Sequence, residues 1–389
     1  MLNLDISKVI AVWGKAPLKV NPYQCLPLRY PKSSCRLCVE NCPTTAIEIK
    51  EDSISVIDDK CTGCGICYNL CPTGVFEMTN FTADAFVEYP QDFKEKMIYV
   101  ECFKVPHKYS LPQSLRLPCL AYITPSLLLK LISKGAGEIM IRDAGICEAC
   151  ESRCGDRVAK DTISKTQELL KDIGLKQKVS VIIEGISINN LDYEGNRLKD
   201  YKDDPELSRR EIFSMFKKET KRGIGGLINK EKPLNIKGKK RLKKVLAKER
   251  EEILNALKEV IADKTGDEAQ HLYGNNPMFS SVNIADGCNM CQLCCFFCPT
   301  DALTVEDTEK GQGILFKTAT CIGCKLCIEV CPKDVLILKE KEFLFYDIIN
   351  QSNTTLVWFD KNVCEYCGRV FTKTTYDNLC DICLKEKEI

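Results

Sequence analysis

One stretch constrains this chain more than any other. Cys288-x2-Cys291-x2-Cys294-x3-Cys298-Pro299 is followed by Cys321-x2-Cys324-x2-Cys327-x3-Cys331-Pro332, the same spacing written twice. So many thiols so close together leave little side-chain volume for an ordinary apolar core, and they must be accounted for as a set. The whole chain carries 26 cysteines in 389 residues, against two histidines, His107 and His271. They fall in four blocks: eight from Cys25 to Cys71, five from Cys102 to Cys154, nine from Cys288 to Cys331 and four from Cys364 to Cys383. The first residues, MLNLDISKVIAVWGKAPLKV, show no basic stretch leading into an apolar one and no twin arginine, and no run of about eighteen apolar residues exists. The expectation is a cytoplasmic protein with no membrane span. A reducing compartment disfavours a disulfide framework, which leaves metal ligation by thiolates. Lys+Arg (55) and Asp+Glu (54) nearly cancel, so net charge argues for neither a nucleic-acid coat nor a membrane-surface protein.

The repeated spacing suits iron–sulfur cubanes. Three closely spaced cysteines wrap one cube, and the fourth, just before proline, reaches across to the other. Cys288, Cys291, Cys294 and Cys331 are then expected on one 4Fe–4S cluster, and Cys321, Cys324, Cys327 and Cys298 on a second. Cys295 is left over as a spare buried thiol. Strand-like apolar runs follow each motif (Ala302, Leu303, Val305; Val335 to Leu338). The first block repeats the theme: Cys61-x2-Cys64-x2-Cys67-x3-Cys71-Pro72 is complete, whereas Cys35-x2-Cys38-x3-Cys42-Pro43 has Lys32 where its leading cysteine belongs. An ammonium cannot replace a thiolate on iron. Cys25, tethered through the Pro27 to Pro31 stretch, is the nearest substitute. Two further clusters are expected, one on Cys25, Cys35, Cys38 and Cys71 and one on Cys61, Cys64, Cys67 and Cys42; the alternative for the former is a 3Fe–4S cluster with Cys25 free. Residues 25–76 and 288–338 resemble bacterial-type 2×4Fe–4S ferredoxin domains, of the kind built into electron-transfer subunits of anaerobic oxidoreductases.

The middle block has another texture. KMIYVEC forms a short apolar strand ending at Cys102, and LRLPCLAYI a second one carrying Cys119. TPSLLLKLISKG has helix signals: Thr124 as N-cap, Pro125 at the first helical position, Gly135 as stop. EIMIRDAG is a strand running toward Cys147, a helix is expected from Asp156 to Asp172, and KVSVIIEG is a further strand. Strands alternating with helices imply parallel βαβ units, in which ligands gather beyond the carboxyl ends of the strands. No G-x-G-x-x-G turn follows the first strand, so a dinucleotide site has no support. This layout is similar to the small iron–sulfur (delta) subunit of methyl-viologen-reducing hydrogenases. The resemblance implies that Cys102, Cys119, Cys147 and Cys150 hold one further cluster, 2Fe–2S or 4Fe–4S; a structural zinc is the competing reading. Cys154 exceeds that four-ligand count, as an alternative ligand, a redox-active thiol or a spare.

Between the second and third blocks 133 residues hold no cysteine, and residues 217–250 carry fourteen Lys/Arg against three Glu. Asp204-Pro205-Glu206 opens one expected amphipathic helix, with Leu207, Ile212, Phe213 and Phe216 on its apolar face. A second is marked by Leu242, Val245, Leu246, Ile253, Leu257, Val260 and Ile261. The basic run is a solvated linker face or a docking surface for an acidic redox partner; no aromatic interleaving points to nucleic acid. At the tail, Cys364-x2-Cys367 and Cys380-x2-Cys383 form two knuckles suited to four-thiolate zinc, with rubredoxin-like iron as the alternative.

The expected fold class is α+β multidomain: two ferredoxin-like iron–sulfur domains (1–90 and 276–350) flank a small parallel α/β domain (91–190) and a basic helical insertion (191–275). A zinc-ribbon-like module (351–389) ends the chain. No Ser/His/Asp or Glu/His constellation is apparent, so the expected function is single-electron relay by four 4Fe–4S clusters and one further centre, serving a redox partner protein or oxidoreductase subunits. The alternatives are a redox enzyme using thiol–disulfide chemistry at Cys154, or a redox-sensing regulator that binds nucleic acid through the insertion.

Overall fold

A computed structural model describes residues 18–79, 81–87, 97–111, 114–175, 180–186, 243–262, 272–274, 276–339, 343–374 and 378–387. The expected helix opening at Pro205 lies outside these residues, as do Lys239, Lys240 and His271.

Alternating apolar residues and tight cysteine turns shape the first unit. Strand β1 (Leu18–Val20) pairs antiparallel with β4 (Phe76–Met78), and β2 (Ile47–Lys50) forms a hairpin with β3 (Ser53–Val56). Three short helices, α1 (Leu26–Arg29), α2 (Leu37–Glu40) and α3 (Ile66–Leu70), carry or adjoin the thiols. Period-two alternation turns Ile47, Ile54 and Phe76 inward, and with Val75, just before β4, they meet Cys25, Cys38 and Cys67. The core is therefore small and partly made of sulfur. A short helix α4 (Ala83–Val87) leads away from it.

The middle unit is a four-stranded parallel sheet in the order β6-β5-β7-β8, from β5 (Met97–Cys102), β6 (Leu115–Leu117), β7 (Glu138–Asp143) and β8 (Ser180–Gly185). Helix α5 (Pro125–Ser133) starts as the sequence predicts, with the Thr124 hydroxyl accepting the Leu127 N–H at 3.3 Å. Helix α6 spans Gly155–Asp172. The second strand ends at Leu117, and Cys119 lies after it, at the start of a 3-10 turn over Leu120–Tyr122. Pro118 explains the break, since it cannot donate to the ladder. A buried charge set fastens the sheet: Glu101 accepts from Arg142 at 2.8 Å and from the Ser110 hydroxyl, with Arg116 at 3.5 Å.

Helix α7 (Lys248–Ala262) is the second expected amphipathic helix, beginning after Val245 and Leu246. Leu254, Leu257 and Ile261 are buried in the core it shares with α5, and the Glu249 carboxylate accepts the Ser126 N–H at 2.8 Å at the first turn of α5. The extended residues before α7 lie between the two cysteine-rich units. Lys243 O accepts from Arg29 at 2.6 Å, Val245 N–H donates to Pro299 O at 2.9 Å, and Lys244 pairs with Asp301 at 2.5 Å.

After β9 (Tyr273–Gly274), the last cysteine-rich unit repeats the first. β10 (Ser281–Ile284) pairs with β13 (Leu336–Lys339), and β11 (Leu303–Asp307) with β12 (Gly311–Phe316), all antiparallel. Helices α8 (Leu293–Phe297) and α9 (Leu326–Glu329) carry its thiols. β14 (Phe343–Leu344) pairs with β9 and leads into α10 (Phe345–Asn350). The long strand β15 (Thr354–Val363) then pairs with β12 and continues into a hairpin with β16 (Val370–Thr372), so the tail grows out of this sheet. A last helix, α11 (Asp381–Lys387), follows the final knuckle.

Candidate iron–sulfur and metal centres

Three cavities of nearly equal size, 330, 340 and 330 Å³, are lined by cysteines in three-plus-one sets. The first borders Cys288, Cys291, Cys294 and Cys331; the second borders Cys321, Cys324, Cys327 and Cys298; the third borders Cys61, Cys64, Cys67 and Cys42. Each set takes three thiols from one run and one from its partner run. Equal volume and an all-sulfur donor set fit one kind of group three times over. Burial pushes the Cys321 thiol up to about 11 and Cys324 to about 12, because desolvation penalises the thiolate, and the neighbouring Cys298 adds to the rise. The positive charge of bound iron removes that cost.

At the remaining position of this pattern Lys32 is exposed, while Cys25 is 4% exposed and shares a core with Cys38. Cys25 follows a 3-10 turn over Pro22–Gln24 and begins α1. Burial pushes its thiol up to about 12; the Leu28 N–H acts the other way, and the charges of Cys71, Cys38 and Cys35 add to the rise. Cys38 is likewise pushed up to about 12, by burial and then by Cys71 and Cys35. These four thiols thus face one another.

Backbone donors are already aimed at the sulfurs. Ala46 N–H donates to Cys42 Sγ at 3.2 Å and Val75 N–H to Cys71 Sγ at 3.3 Å. A threonine hydroxyl approaches Cys42, Cys71 and Cys298 from Thr44, Thr73 and Thr300, at 3.8, 3.5 and 3.8 Å. Cys331-Pro332 is followed by Lys333 instead. This C-P-T signal is visible in the sequence. Cys295 lies buried with its Sγ 4.0 Å from that of Cys294.

In the middle unit Cys102 ends β5, Cys119 caps the turn after β6, and Cys147 and Cys150 lie in the turn after β7. Their charges bear on one another: Cys102 on Cys150, and Cys119 on Cys102 and Cys147. Burial raises Cys102 to about 11 and Cys147 to about 12. Burial raises the Cys154 thiol, and the charges that bear on it are those of Arg157, Asp156 and Cys42. Gly155 makes the site possible, because a side chain there would collide with Cys119 Sγ. Sequence reasoning missed Tyr122. It is fully buried, donates to Gly63 O at 2.8 Å, and lies against Gly65, where an added Cβ would come within 2.7 Å of its ring. Its neighbours include Cys64, which lines the third cavity, and Cys119 of the middle thiols.

The tail differs in scale. Cys364, Cys367, Cys380 and Cys383 are the one group of three or more potential ligands, among the described residues, whose donor atoms all lie within 4.8 Å of each other. Cys367 and Cys380 Sγ are 3.8 Å apart, the edge of a tetrahedron with metal–sulfur bonds of about 2.3 Å. Cys380 N–H donates to Cys364 Sγ at 3.3 Å and holds that thiol low, at about 6. The donor set fits a single ion rather than a cube.

With this geometry in place, comparison with known proteins is informative. Residues 33–84 and 287–335 match the 4Fe-4S dicluster domain. Over 47 residues the chain is 43% identical to an uncharacterized ferredoxin of Methanocaldococcus jannaschii, covering 12% of this chain and 76% of that one. This chain belongs to the 4Fe–4S ferredoxin family. The ferredoxin regions account for the third cysteine block and for the first from Cys35 on, and their work is iron–sulfur electron transfer. Cys25 and the middle and tail cysteines lie outside the matched residues of this ferredoxin. Among the described residues, no helix is long and apolar enough to cross a membrane.

Proposed function

We propose that this ferredoxin is a multi-centre electron relay serving a redox partner protein or the subunits of a cytoplasmic oxidoreductase. Four 4Fe–4S clusters would be held by Cys25, Cys35, Cys38 and Cys71; by Cys61, Cys64, Cys67 and Cys42; by Cys288, Cys291, Cys294 and Cys331; and by Cys321, Cys324, Cys327 and Cys298. One further 2Fe–2S or 4Fe–4S cluster would be held by Cys102, Cys119, Cys147 and Cys150, in keeping with the resemblance to the hydrogenase delta subunit. Zinc would sit on Cys364, Cys367, Cys380 and Cys383. The carrying observation is the three-plus-one exchange of thiols around equal cavities.

Clusters bound in these sets supply reversible one-electron redox centres. The protein's own residues exclude water, aim N–H groups at sulfur and set the spacing. Neighbouring sets share borders that support a single path. Cys35 and Cys324 border the same small core of Leu26, Leu326 and Val330. Cys64 and Cys119 both neighbour Tyr122. The sets then follow one another from Cys288, Cys291, Cys294 and Cys331 through to the middle thiols.

Anaerobic reductive titration with a one-electron donor, followed by EPR, tests this reading. About five electrons per chain are expected, returned on addition of a one-electron acceptor. Uptake of two or fewer by fully loaded protein overturns it.

A further inference from the structure

The second ferredoxin unit holds two sites of matching volume whose electrostatic surroundings differ. Two arginines from outside its motifs converge on only one of them. Arg29, on α1 of the first unit, is 6% exposed; one of its terminal nitrogens donates to Lys243 O at 2.6 Å, and the guanidinium faces Cys298, Cys324 and Asp301. Arg250, on α7, is 7% exposed and donates to Cys321 O at 3.0 Å, with its guanidinium 4.7 Å over the Phe279 ring. Two acids lie nearby: exposed Asp301, already paired with Lys244, acts on Arg29, and Glu249, which accepts the Ser126 N–H, acts on Arg250. Both arginines also leave a buried nitrogen with no partner, Nε on Arg29 and Nη1 on Arg250.

Buried, unsatisfied N–H groups on a cation cost the fold stability unless an acceptor meets them. An anionic sulfur group is the acceptor class this site is built to hold. We infer that Arg29 and Arg250 are positioning residues for the centre at Cys298, Cys321, Cys324 and Cys327, placing two guanidiniums against it so that it becomes the higher-potential centre of its unit. This inference rests on the relay reading above. Reduction adds negative charge, and a fixed cation nearby favours the reduced form. Burial lowers Arg250 only to about 10, so it stays charged near neutral pH. Each cavity borders one lysine, Lys325 at the junction site and Lys333 at its companion, and no arginine is among the main charges bearing on Cys288 and Cys294 of the companion site, whose Cys291 is exposed. The higher-potential centre is also the one beside the first unit, so electrons entering the second unit would collect at the junction.

The experiment is an EPR-monitored redox titration of anaerobically purified full-length protein, with iron counted in every sample. Arg29→Gln, Arg250→Gln, the double variant, and Arg29→Lys and Arg250→Lys are compared with the parent. The junction centre is assigned as the signal that Cys327→Ser alters. Each Gln variant should lower the midpoint potential of that centre alone, the double variant more, and each Lys variant less than its Gln counterpart. Full iron with unshifted potentials, an upward shift, or an equal shift of every centre overturns the inference. Should one Gln variant lose iron, the Gln variant of the other arginine decides: a downward shift confined to the junction centre supports the inference, and none overturns it. Parent protein with too little iron for two ferredoxin units would instead overturn the relay reading.

Discussion

In the proposed ligation the two ferredoxin units would each present four cysteines to two neighbouring centres, and their chains would reach that arrangement differently. In the second unit every proposed ligand comes from the repeated motif itself. In the first, the leading position is Lys32, which lies in solvent, and buried Cys25 arrives from upstream through a 3-10 turn. Their attachments differ as well. The second unit is extended by strand pairing, with β15 on β12 carrying the chain into the tail knuckle. The first is fastened by side chains: Asn69 donates to Ala121 O and Ile123 O at 3.0 and 2.7 Å, and Tyr122 donates back to Gly63 O. A thiolate centre thus constrains where sulfur must be, and leaves open which part of the chain delivers it.

That contrast can be broken at several points. The largest effect is expected where the tail depends on its own ion, because a small module with little apolar core folds on metal binding. Cys380→Ser should take zinc from one per chain to none and expose residues 364–387 to limited proteolysis, while the iron content of the second unit stays unchanged. Next come the leading ligands. Cys288→Ser and Cys25→Ser should each disturb a single centre, seen as loss of about one iron or a 3Fe-type EPR signal. An unchanged spectrum for Cys25→Ser would show that the first unit uses three thiols at that centre.

Tyr122→Ala removes a fully buried ring and should destabilise the first unit and middle sheet by about 3–5 kcal/mol, measured by denaturant unfolding of loaded protein. Tyr122→Phe loses only the hydrogen bond to Gly63 O and should cost about 0.5–1.5 kcal/mol. The smallest effect belongs to Lys32→Ala. Iron content and every potential should match the parent, because the side chain is exposed and the ligand comes from elsewhere.

Much of this was legible in the sequence because the signals are local. The C-x2-C-x2-C-x3-C-P runs bring three thiols together within one turn and a short helix, and Thr124-Pro125 starts α5 by the usual capping chemistry. The parallel sheet followed from alternation of strands and helices. What stayed hidden depends on contacts far apart in the chain. Nothing local announces that Arg29 meets Lys243 O, that Ser126 meets Glu249, or that Tyr122 fits against Gly65. A basic run beside α7 looked like a solvated face, although Leu254 and Leu257 bury its apolar side. Pro118 ends the strand before Cys119, and only the fold brings the charge of Cys42 to bear on Cys154.

The central claim is that both ferredoxin units hold two cubanes each, with the first completed by Cys25. The most direct test is the iron, sulfide and zinc content of anaerobically purified protein, measured beside Cys25→Ser. The account predicts about sixteen iron from the two units, two to four more from the middle site and one zinc, with the variant altered at a single centre. Eight iron or fewer in fully reconstituted protein would contradict it.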